Sequence, residues 1–175
     1  YQTLGWHARR RPSKLAIADD ARQLTFSALV DQTQSVAQSL EVAGIDRGAR
    51  IAILADNCIE TICLLHATAL IGCILVPVNT RYSADELRFL LEDSRPSLVI
   101  CAPRYRALLD ASFDGLAGTR PVVWPLEQVF DPPTAVAIQA WRRSKGLEVM
   151  SYGAVDADDV SMLIYTSGTT SRPKG

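Results

Sequence analysis

Along this chain, apolar runs of strand length alternate with stretches of helical periodicity. Residues 50–55, 73–76, 97–102, 121–126 and 160–165 are the strand-length runs. They are continuous in apolar character instead of alternating, which is how strands buried on both faces of a parallel sheet read. Helical spacing fills residues 58–71, 84–93 and 104–111 between them. Asn57 with Glu60, and Ser83 with Glu86, have the three-residue spacing of a capping box and predict the starts of the first two helices. In residues 27–42, Leu29, Val36, Leu40 and Val42 form one apolar stripe that Gly44 brings to a stop, predicting an amphipathic surface helix. Ahead of it, residues 2–11 read as a short helix stopped by Pro12. Residues 15–18 and 23–25 read as a hairpin around the turn at Asp19 and Asp20. Near the other end, Thr134 is an N-cap for a helix over residues 135–145 that carries Trp141 on its apolar side and Arg142, Arg143 and Lys145 near its negative end. Gly146 ends that helix, and a loop follows to Asp158 and Asp159. The strand–helix alternation predicts an α/β fold with a largely parallel, doubly wound sheet and helices on both faces.

Composition narrows this picture. A chain of 175 residues that is 48% hydrophobic can bury one sizeable core. Its formal net charge of −1 gives no long-range attraction to nucleic acid, and Arg9, Arg10 and Arg11 read as a solvated helix end. Residues 61–80 contain no Asp, Glu, Lys or Arg, long enough to raise a membrane span, but His66, Gly72, Pro77 and Asn79 break the run. A buried helix followed by a buried strand is the expectation, with no membrane span. Cys58, Cys63, Cys73 and Cys101 form no C-x-x-C pair and sit in apolar stretches, which predicts buried free thiols, a reducing compartment such as the cytoplasm, and no metal site. His66 lies between Leu65 and Ala67 and reads as a hydrogen-bonded core histidine.

The candidate chemistry lies at residues 165–175. The last apolar run ends at Tyr165, and Thr166, Ser167, Gly168, Thr169, Thr170, Ser171, Arg172, Pro173, Lys174 and Gly175 follow. The hydroxyls of Thr166, Ser167, Thr169 and Thr170, Gly168, which lets the backbone approach a bulky anion, and the mobile charge of Lys174 suit a polyphosphate. A strand delivers this loop to the carboxyl edge of the sheet, where α/β proteins bind ligands. It is not a Walker A loop, since Pro173 stands where that motif needs its second glycine.

The stretch resembles the phosphate-binding signature of the adenylate-forming (AMP-dependent synthetase/ligase, acyl-CoA synthetase) superfamily, Y-T-S-G-T-T-G-x-P-K-G. Nine of its ten constrained letters match, with Ser171 where glycine is usual. The resemblance extends back through Leu24 to Phe26, Gly48 to Ala55 with Asn57 and Glu60, Gly72 to Asn79, Glu86, Leu87 and Asp159, in the order found at the start of these ligases. It implies that residues 1–175 are the N-terminal part of a large adenylating domain ending in a phosphate-binding loop, with the small C-terminal domain absent. It also implies an ATP-dependent carboxylic acid:CoA ligase that uses Mg2+ and coenzyme A, forms an acyl-adenylate with release of pyrophosphate, and then transfers the acyl group to a thiol. Thr166, Ser167, Gly168, Thr169, Thr170 and Lys174 would wrap the β- and γ-phosphates. The adenine site, magnesium carboxylates and catalytic lysine would lie beyond Gly175, so no catalytic or metal residue is assigned and the 175-residue chain alone is expected to be inactive. A sheet lacking later strands would leave an edge open and favour self-association. The spelling of residues 170–175 is reminiscent of the carnitine and crotonobetaine CoA ligases. The rival readings are a nucleotide-binding fragment without ligase chemistry and a non-catalytic interaction module.

Overall fold

The computed structural model describes residues 2–129, 155, 156, 158–166 and 175. Helix α1 (Gln2–Arg10) leads into the antiparallel hairpin β1 (Leu15–Ala18) and β2 (Gln23–Thr25), followed by α2 (Phe26–Val42). Then come β3 (Arg50–Leu54), α3 (Ile59–Leu70), β4 (Ile74–Pro77), α4 (Ala84–Ser94) and β5 (Leu98–Cys101). A 3-10 turn (Pro103–Tyr105), α5 (Arg106–Ser112), β6 (Val122–Pro125) and the short α6 (Leu126–Val129) complete the elements among the described residues. The 3-10 turn and α6 were not legible in the sequence, and the helix expected over residues 135–145 lies outside the described residues.

Strands β4, β3, β5 and β6 form one sheet in that order, each pair parallel. Successive side chains point to opposite faces, so each strand feeds two cores. Ile51, Ile53, Leu75, Leu98 and Ile100 join one cluster with residues of α2 and α3, including Leu40, Ile59 and Leu64. Ala52, Leu54, Val76, Val99 and Cys101 join a second cluster with Leu87, Leu90 and Leu91 of α4 and Leu109 of α5. Burying each large apolar side chain in these layers stabilises the fold by about 1.5–3 kcal/mol. This is the doubly wound, parallel arrangement that the apolar runs predict, with helices on both faces.

Helix α2 corrects the expectation of a surface helix. Leu29, Val36 and Leu40 are buried as the stripe requires, but so are Thr33, Gln34, Ser35 and Gln38, while Val42 is 81% exposed. Helix α3 packs on one side of α2, and α1 with the β1–β2 hairpin covers others. Periodicity assumes one wet face, and here a third layer removes it. Gln34 is fully buried, and among the described residues neither of its amide atoms has a hydrogen-bond partner.

The expected capping box at Asn57 and Glu60 does not form either. The N-cap of α3 is Cys58, with no side-chain cap bond. Asp19, from the hairpin turn, accepts the Ile59 N–H at 3.4 Å, and Glu60 pairs with Arg22 from the same hairpin. Asp19 also accepts the Arg22 and Ala21 N–H groups at 2.9 Å, and these bonds hold its carboxyl below the ordinary carboxylate range. In α4 the box forms as predicted: Ser83 Oγ accepts from Glu86 N at 3.3 Å, and Glu86 Oε2 accepts from Ser83 N at 2.8 Å.

Gly72 links the first two sheet strands. Its φ of +71° is left-handed, its carbonyl accepts from Gly48 N at 2.8 Å, and a Cβ there would sit 2.9 Å from Arg47 Cγ. All four cysteines are free, and burial pushes the thiols of Cys63, Cys73 and Cys101 up to about 12, 11 and 11. Those three stay protonated near neutral pH, whereas Cys58 is only half-buried and not the buried thiol expected. Burial likewise lowers the His66 pKa and keeps the ring neutral. No helix among the described residues is long and apolar enough to cross a membrane, and the uncharged run is α3 followed by β4.

Two consequences can be measured. Replacing the Gln34 amide by an apolar side chain of similar length removes a buried group with unmade hydrogen bonds, so Gln34→Met is expected to stabilise the fold by about 1 kcal/mol. Thermal denaturation checks this, and a lower melting temperature contradicts it. Asp19 has a depressed folded-state pKa, so its contribution is present above the ordinary carboxylate range and disappears as pH falls through the folded value. The stability gap between the wild type and Asp19→Asn is therefore expected to narrow on acidification. A gap that widens toward acid would reject this linkage.

Candidate functional site

The segment that delivers the signature starts at an anchored turn. Asp159 Oδ2 accepts from Asp156 N at 2.8 Å and from Arg47 Nη2 at 2.5 Å, and Arg47 holds the Asp159 carboxyl below the usual range. Arg47 belongs to the α2–β3 connection and passes over Gly72, so this ion pair ties the incoming segment to the turn that starts β4.

From there the chain runs beside β4. Leu75 N donates to Ser161 O at 3.0 Å, and Leu163 N donates to Leu75 O at 2.9 Å, giving one parallel bridge between Leu75 and Met162. Met162 packs against the α2–α3 core and Leu163 against the α4–α5 core, continuing the two-faced alternation of the sheet. The expectation of a buried strand is corrected in part. The segment pairs with β4 through an isolated bridge and not a continuous ladder, and Val160 and Ile164 are 60% and 61% exposed. It lies at the outer edge of β4, so its other edge has no strand beside it among the described residues. Because it runs parallel to β4, it releases the signature at the carboxyl edge of the sheet, as predicted.

Tyr165 turns inward at that edge. The side chain is buried, and its hydroxyl donates to Asp93 Oδ2 of α4 at 2.5 Å. Burial, followed by the Asp93 hydrogen bond and charge, raises its pKa far above the ordinary tyrosine range, so it remains a neutral donor. Gly175 returns to this ring: a Cβ on it would lie 2.7, 2.8 and 3.0 Å from Tyr165 Cζ, Cε1 and Cε2. Thr166 is exposed next to Tyr165. The other predicted phosphate-binding residues, Ser167, Gly168, Thr169, Thr170 and Lys174, lie outside the described residues, as does Ser171.

A polar group that the sequence reading missed occupies the same edge. Strands β3 and β5 are adjacent, and their following helices, α3 and α5, lie on opposite faces, which makes their carboxyl ends a topological switch point. Asp56 follows β3 there and pairs with Arg104, while Tyr105 Oη donates to Asp56 Oδ1 at 2.7 Å. The Arg104 guanidinium lies 4.8 Å from the centre of the Tyr105 ring. The order of the strands, once assigned, is the signal that marks this place. Among the described residues no group of three or more His, Cys, Asp or Glu side chains could hold a metal ion.

Comparison with known proteins agrees with this geometry. The chain is 34% identical to the indoleacetate–CoA ligase of Aromatoleum aromaticum, over 97% of its own length and 32% of that protein. It is 30% identical to the long-chain-fatty-acid–CoA ligase FadD13 of Mycobacterium tuberculosis, over 99% of its own length and 34% of the ligase. The chain thus spans about a third of the curated relatives it matches. The o-succinylbenzoate coenzyme A synthetase of Bacillus subtilis, solved in complex with ATP and magnesium ion, shares the fold with a TM-score of 0.75 at 23% identity, covering 98% of this chain and 41% of that one. The AMP-binding enzyme family itself matches residues 4–175, from α1 through the signature, and the chain belongs to that family.

Proposed function

We propose that this chain is the N-terminal part of the large adenylating domain of an ATP-dependent carboxylic acid:CoA ligase. The observation that carries the reading is where the signature begins: Tyr165 and Thr166 end an edge segment at the carboxyl side of a doubly wound parallel sheet. The related CoA ligases support the acid–thiol chemistry, and the ATP and magnesium in the B. subtilis synthetase support the nucleotide and ion.

The residues present fit a polyphosphate better than a directly held metal. Gly175 returns so close to the Tyr165 ring that a Cβ would collide with it, which brings the two ends of the signature together. Thr166 is exposed at the same edge. Magnesium binds mainly through substrate phosphates and one or two carboxylates, so its protein ligands need not lie in this chain. When bound, MgATP supplies the electrophilic α-phosphorus that a carboxylate attacks, giving an acyl-adenylate and pyrophosphate. A thiol, that of coenzyme A, then takes the acyl group.

In this reading Thr166, Ser167, Thr169 and Thr170 donate hydroxyl hydrogen bonds to the β- and γ-phosphates, and Gly168 admits them to the backbone. Lys174 neutralises charge that develops on the departing pyrophosphate. The chain's work is positioning and charge compensation, the terms that dominate phosphoryl and nucleotidyl transfer. The free buried thiols support a reducing, cytoplasmic setting.

The full-length protein carrying this chain is expected to catalyse carboxylate-dependent exchange of pyrophosphate into ATP. A panel of aromatic, fatty and short acids tests this, and the absence of both exchange and AMP release with every acid would overturn the proposal. Lys174→Ala in the same protein is expected to slow adenylation by roughly 10²-fold while slowing thiol transfer less, at an unchanged melting temperature. Equal losses in both half-reactions would remove Lys174 from the role assigned to it.

A further inference from the structure

The two ends of the signature meet on one side chain. Tyr165 is 8% exposed although Ile164 before it is 61% exposed, so the ring is turned into the fold against the trend of its segment. Its hydroxyl is held by Asp93, 72 residues away in the last turn of α4. That helix is itself fixed, by the Ser83–Glu86 capping box at one end and by buried Leu87, Leu90 and Leu91 along its length. The tyrosine ring is therefore a wall with little freedom to move.

Gly175 stands against that wall. The position a Cβ would take is nearly equidistant, at 2.7–3.0 Å, from Cζ and from the two Cε atoms that flank it. Only a point above the ring face satisfies all three distances, since a point in the ring plane beyond Cζ would be much farther from both Cε atoms. The residue at 175 thus lies over the face, at a separation no Cβ tolerates. Glycine is required there by close approach.

We propose that Asp93, Tyr165 and Gly175 form the neck of the phosphate-binding signature, with Asp93 and Tyr165 acting as positioning residues for the triphosphate. Asp93 sets the ring, the ring sets how closely residue 175 returns to residue 165, and the spacing of these ends is fixed before any anion arrives. The link to triphosphate rests on the ligase reading above, whereas the neck itself does not.

Two measurements separate these parts. In the 175-residue chain with isotopically labelled glycine, the Gly175 methylene protons are expected to resonate upfield of their ordinary position through the Tyr165 ring current. They should return to it in Tyr165→Leu, and an unshifted wild-type signal overturns the neck whether or not the protein is a ligase. In the full-length enzyme, Gly175→Ala is expected to raise the KM for MgATP by roughly tenfold in the adenylation reaction, with the KM for the acid unchanged. The same substitution on a Tyr165→Ala background should add no further increase, because the wall is gone. Asp93→Ala should raise the KM for MgATP, and Asp93→Asn, which keeps an acceptor for the hydroxyl, should restore most of it. Additive effects of Gly175→Ala and Tyr165→Ala, or equal impairment by Asp93→Ala and Asp93→Asn, would overturn the positioning role. A full-length enzyme that shows the ring-current shift but no adenylation with any acid would overturn the triphosphate assignment and leave the neck in place.

Discussion

Parallel pairing with Leu75 is the interaction on which the rest of the site depends. Two backbone hydrogen bonds, to Ser161 O and from Leu163 N, lay the segment beside β4 with its direction fixed. An antiparallel neighbour would carry residues 165–175 to the amino edge of the sheet, away from the switch point and from the Asp56–Arg104–Tyr105 group. Because a shift by one residue exchanges the faces of a strand, the same register also decides that Met162 enters one core and Leu163 the other. The Arg47–Asp159 pair and the buried Tyr165 anchor the segment before and after the bridge.

The fold was legible where the determining forces are local. The unbroken apolar runs at β3 and β5 are buried at every position from Ile51 to Leu54 and from Leu98 to Cys101, as strands covered on both faces must be. The Ser83–Glu86 box formed because both partners are supplied within one turn. The Asn57–Glu60 box has the same spacing and failed, because Asp19 and Arg22 reach the start of α3 from about 40 residues upstream and compete for the same groups. No local pattern reports that arrival. Helix α2 failed for a related reason: its polar residues read as a wet face until the hairpin and α1 are placed over them.

At the site, the letters of the signature were legible and their setting was not. Tyr165 and Gly175 read as the two ends of a motif, but that one covers the other follows only from the return of the chain. Asp93 gave no signal at all, being one of several acidic residues on the polar side of α4. Arg104 and Tyr105 became visible only through strand order, since a switch point is a property of the sheet and not of any segment. Membership of the AMP-binding enzyme family agrees with the motif reading, and the neck adds a physical reason for its first and last letters.

The central claim is that phosphate is bound at the carboxyl edge where residues 165 and 175 meet. Paramagnetic broadening of the backbone amide signals of this chain by Mn2+·ATP tests it directly, because it reports distance to the bound ion even when affinity is low. Thr166 and Gly175 are expected to broaden well ahead of Gly48 and Gly72, which lie at the opposite edge of the sheet. Uniform broadening, or stronger effects at Gly48 and Gly72, would contradict it.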